Sequence, residues 1–277
     1  MKLSFTTLGC PDWTIDEIIE RAAQYGFDAI DFRGVGDELD VFKLPEFTTQ
    51  LEQTKQKITA AGLAVSCFSS SVQLVSEQNF EKNCQEIEEY ARLCEYFGAK
   101  YIRVFGGRFE MEREEAVQIV VKQLQQLADI AGCRGVKLLI ETHDAWISCD
   151  ELVKIMSLVD SQHVGILWDV HHPYRMVQED PQRTWDVLGK WIEYTHVKDS
   201  LPAEDTKLGF RYYLTGEGDV PLDQIYKLLQ QNGYDGYYAL EWEKKWLPDL
   251  EEPEIVFPHY VNFMRTLSRS VEQEEKV

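Results

Sequence analysis

Short apolar runs rich in β-branched and aromatic residues alternate eight times with longer segments whose apolar residues recur at helical spacing. A chain patterned this way folds as repeated βα units around a parallel sheet. The runs at 3–8, 29–32, 64–69, 101–105, 137–142, 164–169, 194–197 and 237–242 are the expected strands, with helices at 15–25, 81–97, 113–131 and 222–232 among the segments between them. Gly26, Gly62, Gly98, Gly135 and Gly233 each stand just after a helical segment and just before a strand, where glycine takes the left-handed cap of an αβ turn. Eight units fit a closed barrel better than an open doubly wound sheet. No G-x-G-x-x-G turn follows the first strand, and Gly34-Val35-Gly36, after the second, lacks the third glycine. The expected fold class is therefore α/β, a single (β/α)8 TIM barrel over residues 1–269, followed by a polar C-terminal tail at 270–277.

A length of 277 residues and a 44% hydrophobic fraction supply enough apolar material for one large interior. The formal charge of -20 opposes nucleic acid and anionic lipid as partners. Six cysteines are scattered without a C-x-x-C pair, the N-terminus enters a strand directly without a signal-peptide core, and no apolar run is long enough to span a bilayer. These features place the protein in the cytoplasm with a small-molecule partner, neither nucleic acid nor membrane. A homo-oligomer is compatible with them, since barrels often associate.

Catalytic groups of such barrels project from the C-terminal ends of the strands. Four late strands end alike: the fifth in Glu141-Thr142-His143, the sixth in Asp169-Val170-His171-His172, the seventh in His196-Val197-Lys198-Asp199, and the eighth in Glu241-Trp242-Glu243. A lone strand-end carboxylate often only caps the next helix, and a lone histidine often sits in a hydrogen-bond network. Three carboxylates and an imidazole on consecutive strands, however, repel and dehydrate one another unless a cation sits among them. The sequence thus predicts one divalent metal ion held by Glu141, Asp169, His196 and Glu241, with Mn2+ first and Mg2+, Co2+ or Zn2+ as alternatives.

The order Glu141, Asp169-x-x-His172, His196-x-Lys198-Asp199, Gly216-Glu217-Gly218, Gly233-Tyr234-Asp235-Gly236 and Glu241 resembles the xylose isomerase-like sugar phosphate isomerase/epimerase superfamily. The likeness extends to the opening Thr7-Leu8-Gly9-Cys10-Pro11-Asp12-Trp13. That superfamily includes ketose 3-epimerases, hydroxypyruvate isomerase, inosose isomerase and dehydratase, dehydroshikimate dehydratase and an abasic-site endonuclease. The resemblance implies a metal-dependent isomerase or epimerase in which Glu141 and Glu241 bind metal and act as the catalytic acid/base pair, and in which His172 contacts a substrate hydroxyl. The chemistry is coherent: chelation of a ketose carbonyl acidifies the neighbouring C–H and stabilises the enediolate. Return of the proton then gives an epimer or an isomer, and loss of a β-hydroxyl gives dehydration, so a dehydratase of an inosose-like cyclic ketone is the alternative. The tagatose-epimerase branch carries a glutamate and an arginine where this chain has Ile147 and Pro202, and the acidic charge opposes the endonuclease branch.

Further substrate contacts are expected from Lys198, Arg103, His143 and Arg211. Lys198 faces the same side of its strand as His196, suited to an enolate or a substrate carboxylate, or else to an ion pair with Asp199 or a metal carboxylate. Arg33 and Arg103 end early strands and suit an acidic substrate group or an ion pair across the mouth. His143 follows Glu141 by two positions, as an outer partner of the metal site does. Segment 200–214, with Arg211, Tyr212 and Tyr213, reads as a loop over the mouth, and Trp13, Trp146, Trp168, Tyr174 and Trp246 stand near strand ends as sugar-covering rings or as packing. A non-catalytic ligand sensor is a third reading, against which both glutamates stand.

Overall fold

The computed structural model describes residues 1–274. Eight strands run parallel: β1 (Lys2–Phe5), β2 (Ala29–Phe32), β3 (Ala64–Gln73), β4 (Tyr101–Phe105), β5 (Lys137–Glu141), β6 (Val164–Asp169), β7 (Ile192–Val197) and β10 (Tyr237–Leu240). Their order, β1-β10-β7-β6-β5-β4-β3-β2, follows the chain around a ring that a bridge between Thr6 and Asp31 closes. Two further strands, β8 (Asp199–Pro202) and β9 (Phe210–Tyr213), form a separate antiparallel hairpin after β7. Segment 200–214 is thus mostly an ordered ribbon rather than a plain loop.

The helices are α1 (Ile15–Tyr25), α2 (Leu51–Ala60), α3 (Phe80–Phe97), α4 (Arg113–Gly132), α5 (Cys149–Val159), α6 (His171–Val177), α7 (Pro181–Leu188), α8 (Leu222–Gln231) and α9 (Pro253–Glu274). In α1, Ile15, Ile18, Ile19 and Ala22 fall on one buried face, Thr14 and Glu17 form a reciprocal capping box, and Gly26 ends the helix with φ +86°. The other four punctuating glycines also adopt positive φ, and Asp160 (φ +42°) does the same between α5 and β6, where the sequence offers no glycine. Helix α9 runs to Glu274 and buries Val271, so the expected tail begins inside a helix; 275–277 lie outside the described residues.

Strands covered by helices outside and packed within are buried on both faces, which is why they read as near-continuous apolar runs. The barrel interior holds Cys67, Leu139, Leu167, Tyr194 and Ala239 as a packed plug, while a larger apolar layer joins barrel to helices. Because side chains alternate along a strand, the inward set continues upward from Leu139 to Glu141 and His143, from Leu167 to Asp169, from Tyr194 to His196 and Lys198, and from Ala239 to Glu241 and Glu243. The apolar plug therefore forms the floor of a polar site.

Candidate active site

Glu141, Asp169, His196 and Glu241 are all buried, and each offers one ligand atom within 4.8 Å of the others. His196 stands at the centre: Nδ1 lies 3.1 Å from Glu141 Oε1 and 3.4 Å from Glu241 Oε2. Its Nε2 lies 3.2 Å from Oδ2 of Asp31, whose other oxygen accepts from Ser69 Oγ at 2.8 Å. A carboxylate on Nε2 keeps that nitrogen protonated and leaves Nδ1 as the atom facing the cluster, the one that would lose its proton to bind a cation. Asp169 is aimed by its backbone surroundings, since Oδ1 accepts from the N–H groups of His171 (2.8 Å) and His172 (3.0 Å) at the start of α6. Glu141 Oε2, Asp169 Oδ2 and Glu241 Oε2 are left buried without a hydrogen bond. Three buried carboxylate oxygens beside one imidazole are the donor set of a divalent cation, and the residues present fit it.

Two side-chain cations hold part of this charge. Lys198 Nζ, fully buried, lies 2.9 Å from Asp169 Oδ2, 2.5 Å from Glu241 Oε2 and 3.1 Å from Glu243 Oε1. Arg103 Nε lies 3.4 Å from Glu141 Oε2, its guanidinium stacked 3.7 Å from the Phe105 ring. Burial opposes the charged form of Glu241, but Lys198 and His196 outweigh it and hold the carboxyl well below the ordinary range. Burial likewise opposes a charged His196, yet Glu241, Asp31 and Glu141 push it well above the ordinary imidazole value. Glu243 shows the reverse balance: burial raises it although Lys198 pulls downward.

A cavity of about 270 Å³ opens over this layer, lined in its inner part by His143, His172, Glu243 and Tyr212. His172 Nδ1 lies 3.2 Å from the Thr142 carbonyl, and burial followed by Lys198 holds it well below the ordinary histidine range. Burial opposes a charged His143, but its contact with Asp144 (3.2 Å) and the field of Glu141 outweigh it and raise this group. His143 and His172 meet edge to face, with ring centres 4.7 Å apart.

Of the residues expected from sequence to contact substrate, His143 and His172 line the cavity. Lys198 and Arg103 are instead turned to the carboxylates, the ion-pair option. Arg211 does not reach the site: on β9, Phe210 and Tyr212 are buried, while Arg211 alternates outward and pairs with Asp205 at 2.9 Å. Arg33 is buried, and desolvation lowers its guanidinium to about 10. Trp13, Trp146 and Trp168 are buried packing residues, and Tyr174 is partly buried against the core. Trp246 alone of the five aromatic residues lines the cavity. Asp199 accepts from the N–H groups of Ser200, Gly216, Gly218 and Val220, so it anchors the Gly216-Glu217-Gly218 turn. Sequence reasoning missed Asp31, and it named Glu243 at its strand end and Tyr212 over the mouth without giving either a role at the site. Asp31, a carboxylate between the apolar Ile30 and Phe32, was the available signal, because only an inward polar partner makes such a position tolerable.

Comparison with known proteins agrees with this fold. Inosose dehydratase of Clostridium botulinum is 23% identical over 223 residues, 74% of this chain and 68% of that protein. Fructoselysine 3-epimerase of Escherichia coli O157:H7 is 28% identical over 128 residues, 44% of each chain. A crystal structure of the IOLI protein with a bound zinc atom superposes with a TM-score of 0.77 at 21% identity, covering 98% of both chains. The Xylose isomerase-like TIM barrel family model matches residues 19–267, and with nine-tenths of its length so matched this chain belongs to that family.

Proposed function

We propose that this protein is a divalent-metal-dependent isomerase or epimerase of a sugar or polyol, working by proton transfer next to a carbonyl, with Glu141 and Glu241 as the acid/base pair. The observation that carries the reading is the convergence of three buried carboxylates, each with one oxygen that lacks a hydrogen bond, and His196 beneath one cavity. A divalent ion held by Glu141, Asp169, His196 and Glu241, Mn2+ first and Mg2+, Co2+ or Zn2+ otherwise, would supply the Lewis acid that polarises a substrate carbonyl.

The chain's own groups account for the rest. Glu241, kept ionised by Lys198 and His196, is the base, and Glu141, across His196, is placed to deliver a proton that it takes up from solvent, while Glu241 gives its own back to solvent. Delivery to the opposite face of the same carbon gives an epimer, and delivery to its neighbour gives an isomer. Lys198, paired with Asp169, Glu241 and Glu243, offsets the negative charge of the site as the substrate gains electron density. His172, uncharged, contacts a substrate hydroxyl from the cavity wall.

One observation favours dehydration as a second reading. Glu243 borders the cavity 3.1 Å from Lys198 Nζ, with its carboxyl raised by burial, where a proton donor for a departing hydroxyl is needed. The match to inosose dehydratase is also the longer of the two. Incubation of ketoses and inososes in deuterated water with Mn2+ tests both readings. Deuterium in a product without ultraviolet absorption supports the isomerase or epimerase, and a conjugated, absorbing product supports the dehydratase. Absence of both exchange and an absorbing product across the panel with metal-loaded protein sinks both.

A further inference from the structure

We infer that the substrate carries an apolar substituent and no phosphate, the substituent seated against Trp246, Leu208 and Met176 at the outer rim of the cavity. This rests on the carbonyl chemistry proposed above and specifies its substrate class. Among the described residues seven large apolar side chains are exposed, and three of them, Met176, Leu208 and Trp246, line this one opening. Each is about half exposed, and they come from separate places: α6, the turn between β8 and β9, and the segment after β10. Scattered exposed apolar residues are ordinary, but a ring of them around a single polar-floored cavity marks a binding surface. Phe210 and Ile147 extend the apolar wall inward, until it meets His143, His172 and Glu243. The cavity is graded, polar where the carboxylates lie and apolar toward solvent, and that grading matches an amphipathic ligand with its sugar-like end innermost.

Charge argues against phosphate. Arg108 is the one Lys or Arg among the described residues lining the cavity, and it pairs with Asp144 at 3.1 Å. Asp144 and Glu243 line the same space, and the two cations behind it, Arg103 and Lys198, face the metal-site carboxylates. Among the described residues the cavity lining thus offers no basic side chain free of a carboxylate partner to hold a phosphate dianion. A second protein chain is a poorer occupant of the rim, because covering it would seal the cavity that substrate must enter. The volume, about 270 Å³, suits one sugar-sized head with a compact group attached.

The test is calorimetric titration of Mn2+-loaded protein with the methyl, phenyl and hexyl glycosides of one 3-keto-hexose, and with the corresponding 6-phosphate. Affinity is expected to rise about tenfold or more from methyl to hexyl, as burial of added apolar surface requires. The doubly substituted Trp246→Ala, Leu208→Ala protein is expected to lose that increment, and the phosphate to bind more weakly than its parent. A flat series, an increment that survives both substitutions, tighter binding of the phosphate, or no binding of any glycoside overturns the inference. So does a wild-type dimer in light scattering that Trp246→Glu dissociates, since the rim would then be a subunit interface. Solvent deuterium exchange on the same glycosides separates the two claims. A steep affinity series without exchange sinks only the proposed chemistry, and exchange with a flat series sinks only the apolar subsite.

Discussion

Glu241 illustrates how much one side chain owes to its neighbours: alone in an apolar mouth it would take a proton, yet Lys198 and His196 keep it charged. Glu241→Gln removes that charge at nearly constant volume, and is expected to lose bound metal or at least about 100-fold in solvent-exchange rate; elemental analysis beside deuterium exchange decides. Asp31 acts through His196 rather than on substrate, so Asp31→Ala is expected to weaken metal affinity by roughly 10- to 100-fold, read by competitive titration with a chelating dye. The buried pair His171 and His172 sets a pH limit on the metal-free protein. Burial holds both well below the ordinary 6.5, so as pH falls through that value the unfolded chain takes up protons first. Stability is therefore present above about 6.5 and drains away below it. Urea unfolding of chelated protein at pH 6.0 and 5.0, below the range in which the raised His143 and His196 contribute in the opposite sense, is expected to show this loss, and His172→Asn to reduce it; equal stability at the two pH values would refute the assignment.

At the scale of elements, most of the barrel was legible because strand and helix each impose their own period on the apolar residues. The runs at 29–32, 101–105 and 164–169 and the helix at 15–25 coincide with β2, β4, β6 and α1, and ends elsewhere moved by a few residues, as with β3, which continues to Gln73. Segment 200–214 was misread because alternation over four residues is too short to separate a ribbon from a loop. That error also misassigned Arg211, whose outward face follows from Phe210 and Tyr212 pointing in. The Gly216-Glu217-Gly218 turn obeys a steric rule that sequence alone does not state. A Cβ at Gly218 would lie 2.1 Å from Asp199 Oδ1, within the backbone cradle that holds this carboxylate. Gly218→Ala is accordingly expected to destabilise the fold by roughly 2 kcal/mol or more, measured by denaturant unfolding. Recovery of stability in Asp199→Ser, Gly218→Ala relative to the additive expectation would confirm that the clash is the cause.

For the whole molecule, the proposed cation site would link ring closure to metal binding. The metal-site layer draws one residue each from β5, β6 and β7 and one that follows β10, so a bound ion ties together neighbouring strands contributed by distant parts of the chain. Saturating Mn2+ at about 100 times Kd is expected to add roughly 2.7 kcal/mol and to raise Tm by roughly 5 °C or more over chelated protein. Scanning calorimetry checks this, and Glu241→Gln is expected to show little response. By itself, the sequence determined the number and order of the βα units and the strand ends that carry carboxylates, because periodicity and strand-end position are local properties. Only the tertiary structure decided which groups meet. Asp31 and His196, 165 positions apart, form one hydrogen-bonded pair because the barrel closes, and Lys198 finds Asp169, Glu241 and Glu243 because three strands bring them to one height. Whether an arginine faces cavity or solvent, and whether a charged group keeps its proton, depends on neighbours that no single segment contains.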